Sequence, residues 1–179
     1  MDEKMTKEDS QKSTVQAREF KVGDLAVYPA HGVGKIEAIE KKVVGGNEHD
    51  FYVMKIFENS MVIMIPVWNV EQVGLRDVIN KDNIADVYDV ISKDCEMIID
   101  KQAWNRRHKE YMDKIRTGSI YDVAEVYRDL SILKNAKDLS FGERKLYDTA
   151  QILLVSELST ASGKGQEVIL SKIESFFSG

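Results

Sequence analysis

Three kinds of side chain that hold nucleic acid, an aromatic ring, guanidinium groups and ammonium groups, crowd into Trp104-Asn105-Arg106-Arg107-His108-Lys109-Glu110-Tyr111. Cations neutralise backbone phosphates without reading sequence, and a flat ring stacks on an unpaired base or wedges into a base step. At helical spacing Arg106, Lys109 and Arg116 line one face, with Asp113 interrupting the row, while Trp104 begins a second face continued by His108, Tyr111 and Ile115. Residues 101–118 carry Lys101, Arg106, Arg107, Lys109, Lys114 and Arg116 against Glu110 and Asp113, so the balance is locally basic in a chain whose net charge is -5. The same pattern suits an ordinary bundle helix in which Trp104 anchors the core and the arginines form a solvated face. Spacing alone leaves both open. A wedge is largely exposed at the start of its helix, whereas a core anchor is buried.

Other chemistry is sparse. His31, between Ala30 and Gly32, and His49 each lack a second His, Cys or carboxylate at metal-ligand spacing, and no Ser or Cys nucleophile motif accompanies them. Gly32-Val33-Gly34 lacks the spacing of a nucleotide fingerprint. No catalytic residue, metal or cofactor is expected. Cys95 is the single cysteine, so no disulfide forms within the chain. Met1-Asp2-Glu3-Lys4 lacks the apolar stretch of a signal peptide, and no run approaches the roughly 20 apolar residues that span a bilayer. A cytoplasmic protein outside the membrane is expected.

The elements that must position the Trp104 stretch follow from the patterning of the 179 residues, 43% of them hydrophobic and 31% charged. Residues 1–19 are polar without period and read as a disordered tail. Short β-rich runs follow at Leu25–Pro29, Val33–Val44, Phe51–Phe57 and Met61–Pro66, and Gly45-Gly46-Asn47 and Glu58-Asn59-Ser60 join neighbours closely enough for hairpins. They predict a small, bent, antiparallel Tudor/SH3-like sheet over 20–77. Met61-Val62-Ile63-Met64-Ile65-Pro66 is apolar on both alternating faces, so something must cover the second face: a closed barrel and the following helices, or a strand from a partner.

After Val73-Gly74-Leu75-Arg76-Asp77 the period becomes helical over 78–179. Ile84, Val87, Tyr88 and Ile91 share a stripe that Asn80 or Asp82 can cap, and a connector spans Asp94–Asp100. The Trp104 helix stops at Gly118, and a helix after Ser119 carries Ile120, Val123, Val126, Tyr127 and Leu130. Ser140-Phe141-Gly142-Glu143 is a capping box that opens a helix through Leu146, Ala150, Leu153 and Leu154 to about Leu158, with Arg144 and Lys145 exposed in its first turn. A last amphipathic segment runs from Glu167 to Phe177. The fold class is α+β, a small sheet followed by a compact bundle of about five helices.

Several short motifs recur in one order: Phe20-Lys21-Val22-Gly23-Asp24, Val27-Tyr28-Pro29, His31-Gly32-Val33-Gly34, Met64-Ile65-Pro66, Val73-Gly74-Leu75-Arg76, Trp104-Asn105-Arg106-Arg107, Ala124-Glu125-Val126, Arg128-Asp129-Leu130 and Leu139-Ser140-Phe141-Gly142-Glu143-Arg144-Lys145. Together they resemble the CarD/CdnL family of bacterial transcription regulators, in its CdnL-like branch, from about Phe20 to Leu158. The resemblance implies a non-enzymatic factor, expected to be a monomer, whose Tudor-like domain binds the RNA polymerase β subunit and whose helical domain contacts promoter DNA without sequence preference. It implies that Trp104 sits in the minor groove at the upstream edge of the transcription bubble, with Arg106, Arg107, Lys109, Arg144 and the adjacent Lys145 approaching phosphates. It implies that the edge of the sheet pairs with a polymerase strand through Lys42 and Met64, with Val44, Val62 and Pro66 on the same stretches. Some relatives carry arginine in place of Met64, and methionine here favours an apolar contact over an ion pair. The competing reading is an adaptor that binds polymerase and uses the bundle for a second protein.

Overall fold

The computed structural model describes residues 18–94 and 104–179. Most of the expected tail and connector, together with Lys101 and Cys95, lie outside the described residues. The N-terminal part is an antiparallel sheet of five strands, β1 (Leu25–Tyr28), β2 (Gly32–Val44), β3 (Asn47–Ile56), β4 (Val62–Pro66) and β5 (Arg76–Asp77), in the spatial order β4-β3-β2-β1-β5. Gly45 and Gly46, at φ 60° and 85°, supply the two left-handed residues that a tight hairpin between β2 and β3 requires. One face of the sheet closes on Ala26, Ile36, Tyr52, Met54 and Ile65, with Phe20 and Leu75 completing that core.

Strand β4 is an edge. It pairs with β3 alone among the described strands, with Val53 opposite Met64 and Tyr52 opposite Ile65. Ile65 is buried while Val62 is exposed, so the strand that is apolar on both faces spends one of them on the core and leaves the other outward. A second feature concerns β2, where the pairing shifts between Ile36 and Ala38. Before the shift the even residue Ile36 points into the core; after it Ala38, Glu40, Lys42 and Val44 lie opposite Val53, Phe51, His49 and Asn47, on the outward face. A bulge of this kind adds one residue to one strand and inverts its alternation.

A short helix, α1 (Val70–Val73), follows β4 and precedes β5. The C-terminal part then contributes α2 (Ile84–Ser92), α3 (Trp104–Arg116), α4 (Ile120–Ala136), α5 (Phe141–Ser162) and α6 (Gln166–Ser175). Ser119 caps α4, and Ser140 with Glu143 forms the reciprocal capping box of α5. Val87, Ile91, Tyr111, Ile115, Val126, Tyr127, Leu130, Leu154 and Leu158 are among the side chains that close the bundle core.

Sheet and bundle are locked together at the β1–β2 turn and at β5. Pro29 lies between two left-handed glycines: a Cβ on Gly118 would come within 2.8 Å of its Cγ and one on Gly74 within 3.2 Å. Beside it Arg76 donates from Nη1 and Nη2 to the two oxygens of Glu157, at 2.6 and 2.8 Å, and from Nε to the Gly118 carbonyl at 2.7 Å. Glu157 is 3% exposed and also accepts from the Ile79 backbone N–H. A bidentate, backbone-supported pair of this type sets geometry as well as adding energy.

Candidate nucleic-acid interface and docking face

Trp104 sits where α3 crosses the first turn of α5. Its ring packs on the edge of the bundle core, half-buried, and lies against Gly142: a Cβ there would come within 2.9 Å of Cζ2. His108, one turn on, meets the indole edge-on at 5.3 Å between centroids. The largely exposed ring expected of a pure wedge and the buried ring of a core anchor are both replaced by an intermediate, in which one side of the indole is seated and the rest is accessible. Farther along the same face Tyr111 and Ile115 are buried, and burial, with the Asp129 carboxylate beside it, pushes the Tyr111 hydroxyl up to about 12.

The cations divide into two groups. Arg106, Lys109 and Arg116 are exposed along the outer face of α3, and Arg144 and Lys145 are exposed in the first turn of α5. Arg106 and Arg116 make only loose surface contacts, 3.4 Å to Glu110 and 3.8 Å to Asp113, which are worth little in water. Arg107 departs from the expected phosphate-facing row. Its side chain is 20% exposed, with Nη2 3.7 Å from Glu143 and the guanidinium carbon 5.9 Å from the Trp104 ring centre. The physical reason lies in helix phase and charge: Arg107 is one residue past the outer row, on the side facing α5, where the carboxylate of Glu143 waits.

Glu143 organises that corner. It accepts from the Ser140 backbone N–H at 2.8 Å and from Lys137 at 3.2 Å, while its own N–H donates to the Ser140 hydroxyl at 3.3 Å. Burial alone would raise its carboxyl, but the Ser140 N–H and the Lys137 ammonium outweigh it and hold the group below the ordinary carboxylate range. Phe141, the first residue of α5, is 87% exposed beside this corner. Sequence reading passed over it, although its place directly after a capping serine is where a side chain escapes the bundle.

The second candidate surface is the outward face of the sheet. The ladder places Lys42 and Val44 of β2 on the same face as Val62, Met64 and Pro66 of β4, since each is reached through outward residues of β3. Sequence separates these residues into two runs; the bulge and the register bring them to one surface. Lys42, Val44 and Val62 are exposed, Met64 and Pro66 half-buried. His31 is exposed in the β1–β2 turn beside Tyr28, and His49 stacks on Trp68; no group of three or more metal-ligating side chains occurs among the described residues.

A sheet with a free apolar edge, joined to a helical bundle with a basic aromatic corner, defines a two-part protein with two separate candidate surfaces. The family comparisons agree in order and extent. The CarD-like/TRCF RID domain matches residues 20–79 and the C-terminal domain of CarD matches residues 86–174. The Putative transcription factor YdeB of Bacillus subtilis (strain 168) is 35% identical over 155 residues, covering 85% of this chain and 98% of that protein. Among solved structures, CdnLNt from Myxococcus xanthus is 51% identical over 35% of this chain and 89% of its own, with a TM-score of 0.30. The solution structure of the 72-residue N-terminal domain of Myxococcus xanthus CarD is 37% identical over 33% of this chain and 79% of its own, with a TM-score of 0.29. The chain belongs to the CarD family, whose members are transcription factors. No described helix is long and apolar enough to cross a membrane.

Proposed function

We propose that the chain docks on the RNA polymerase β subunit through the outward face and free edge of its sheet, and stabilises open promoter complexes by contact of the α3–α5 corner with DNA at the upstream edge of the bubble. The observation that carries the DNA half is the Trp104 corner: a half-buried indole with an accessible side, flanked by exposed Arg106, Lys109, Arg144 and Lys145 in a chain of net charge -5. Tethering by polymerase makes such a small patch sufficient, because a linked site experiences an effective concentration on the order of millimolar. The accessible part of the ring gains contact with splayed bases that intact duplex withholds, so it acts only once melting has begun. A stacking contact of about 1–3 kcal/mol shifts the closed-to-open balance by roughly five- to 150-fold.

The test is the lifetime of competitor-resistant open complexes, measured with polymerase and promoter in the presence of the chain or its Trp104→Ala variant. Truncation of a fully buried Trp costs about 3–5 kcal/mol, so the half-seated ring is expected to account for about 1–2 kcal/mol and leave the bundle folded. The lifetime gain should disappear while polymerase binding persists. A variant that stays folded, binds polymerase and still prolongs the complex would refute the DNA half and leave an adaptor.

A further inference from the structure

The outward face of the sheet holds an aromatic cluster that neither the edge strand nor the bundle explains. Trp68 follows β4 and folds back over β3, where its ring lies 4.5 Å from His49 and 5.5 Å from Phe51, both outward residues of the ladder. It remains 58% exposed, and Val62, at the other end of β4 on the same face, is 57% exposed. Large aromatics left open next to a sheet edge are the usual anchors of protein interfaces. The charges of this face are equally unexplained by folding. Lys35 and Lys55 stand directly opposite each other in the β2–β3 ladder, next to Val62, an arrangement that weakens a sheet. With Lys42 they outnumber Glu40, the one acidic residue that the ladder places on this face.

We propose that Trp68, seated on His49 and Phe51, and the Lys35–Lys55 pair bound the two ends of one docking surface, and that its occupant is an apolar extended segment of the polymerase β subunit carrying an acidic residue. The assignment rests on the polymerase reading above and adds to it the anchor and the chemistry of the partner. Trp68 walls the Pro66 end of the outward face and the lysine pair lies at its Val62 end, so a segment laid across that face meets a ring at one end and two cations at the other. A carboxylate placed over the pair relieves the like-charge opposition, which couples the repulsion inside the free sheet to binding.

Affinity of the full-length chain for RNA polymerase core enzyme, by biolayer interferometry, and thermal stability, by circular dichroism, decide the matter. Trp68→Ala should weaken binding at least tenfold with the melting temperature unchanged. Lys55→Glu should raise the melting temperature, since it converts the repulsive pair into an ion pair, yet should still weaken binding at least tenfold. Binding within twofold of the native chain in both variants, with Met64→Asp abolishing it, would overturn the anchor and the acidic partner while the docking reading stands. If Met64→Asp also binds as tightly as the native chain, the docking reading itself falls. Trp68→Ala that unfolds the sheet, with Lys55→Glu binding normally, would make Trp68 a structural cover and overturn the proposal.

Discussion

Gly142 and Trp104 fit together without room for a methyl group, the Cβ position of the glycine falling 2.9 Å from Cζ2 of the indole. Gly142 lies inside α5, where alanine is the better helix former by about 1 kcal/mol. Gly142→Ala therefore sets a helix gain of at most about 1 kcal/mol against the contact of the displaced ring, and should leave the bundle folded while forcing the ring off its seat. The expected result is an altered Trp104 emission spectrum in a Trp68→Phe background and, with Trp68 in place, shorter-lived open complexes and no loss of polymerase binding. An unchanged spectrum would show that the ring has slack the geometry denies.

Arg76 and Glu157 hold the sheet to the bundle, and the pair behaves differently from a surface ion pair because Glu157 is 3% exposed. Arg76→Ala leaves that carboxylate buried with only the Ile79 N–H for company, which should cost about 3–5 kcal/mol in chemical denaturation. Removing both charges in Arg76→Ala/Glu157→Leu should recover much of the loss, since no unpaired charge remains. A double variant no more stable than Arg76→Ala would mean that the stranded carboxylate is not what the single substitution costs.

Local signals made most of the fold legible before any coordinates. Gly45-Gly46 marks a hairpin because both residues must be left-handed, and the Ser140–Glu143 box marks a helix start because each side chain satisfies the other's backbone. The candidate surfaces were less legible, for reasons that are nonlocal. The bulge between Ile36 and Ala38 inverts the alternation of β2, so which way Lys42 and Val44 face is decided by the partner strand. The two-residue strand at Arg76–Asp77 is too short to carry a period, and its partner β1 lies about 50 residues back. Arg107 belongs to the basic cluster in sequence, yet Glu143 of another helix turns it inward. Trp68 carries no motif at all, and only its ring contacts with His49 and Phe51 draw attention to it.

Glu143 predicts an acid-sensitive corner. Its folded-state carboxyl is held below the ordinary value of 4.5, so the ionised form is favoured by the fold. The stabilisation is complete above that value and is lost as pH falls through and below it. In urea melts the native chain should lose stability more steeply below about pH 4.5 than Glu143→Gln, which has no proton to take up there. Parallel pH profiles for the two proteins would remove Glu143 from this role.

Arg106 and Arg107 are neighbours in sequence with different surroundings, and salt separates them. Each phosphate neutralised on duplex DNA contributes about 0.9 to the slope of log K against log salt. Arg106 and Lys109, exposed on the outer face of α3, should each contribute one such contact, so Arg106→Ala and Lys109→Ala should each flatten the slope by about 1 for the polymerase-bound chain on every promoter alike. Arg107 faces Glu143 and the Trp104 ring, so Arg107→Ala should leave the slope unchanged. It should instead shift Trp104 emission in a Trp68→Phe background and shorten open-complex lifetime, because the ring loses the group beside it. If Arg107→Ala flattens the slope as much as Arg106→Ala, the guanidinium leaves Glu143 for a phosphate on binding, and its assignment as a brace for Trp104 fails.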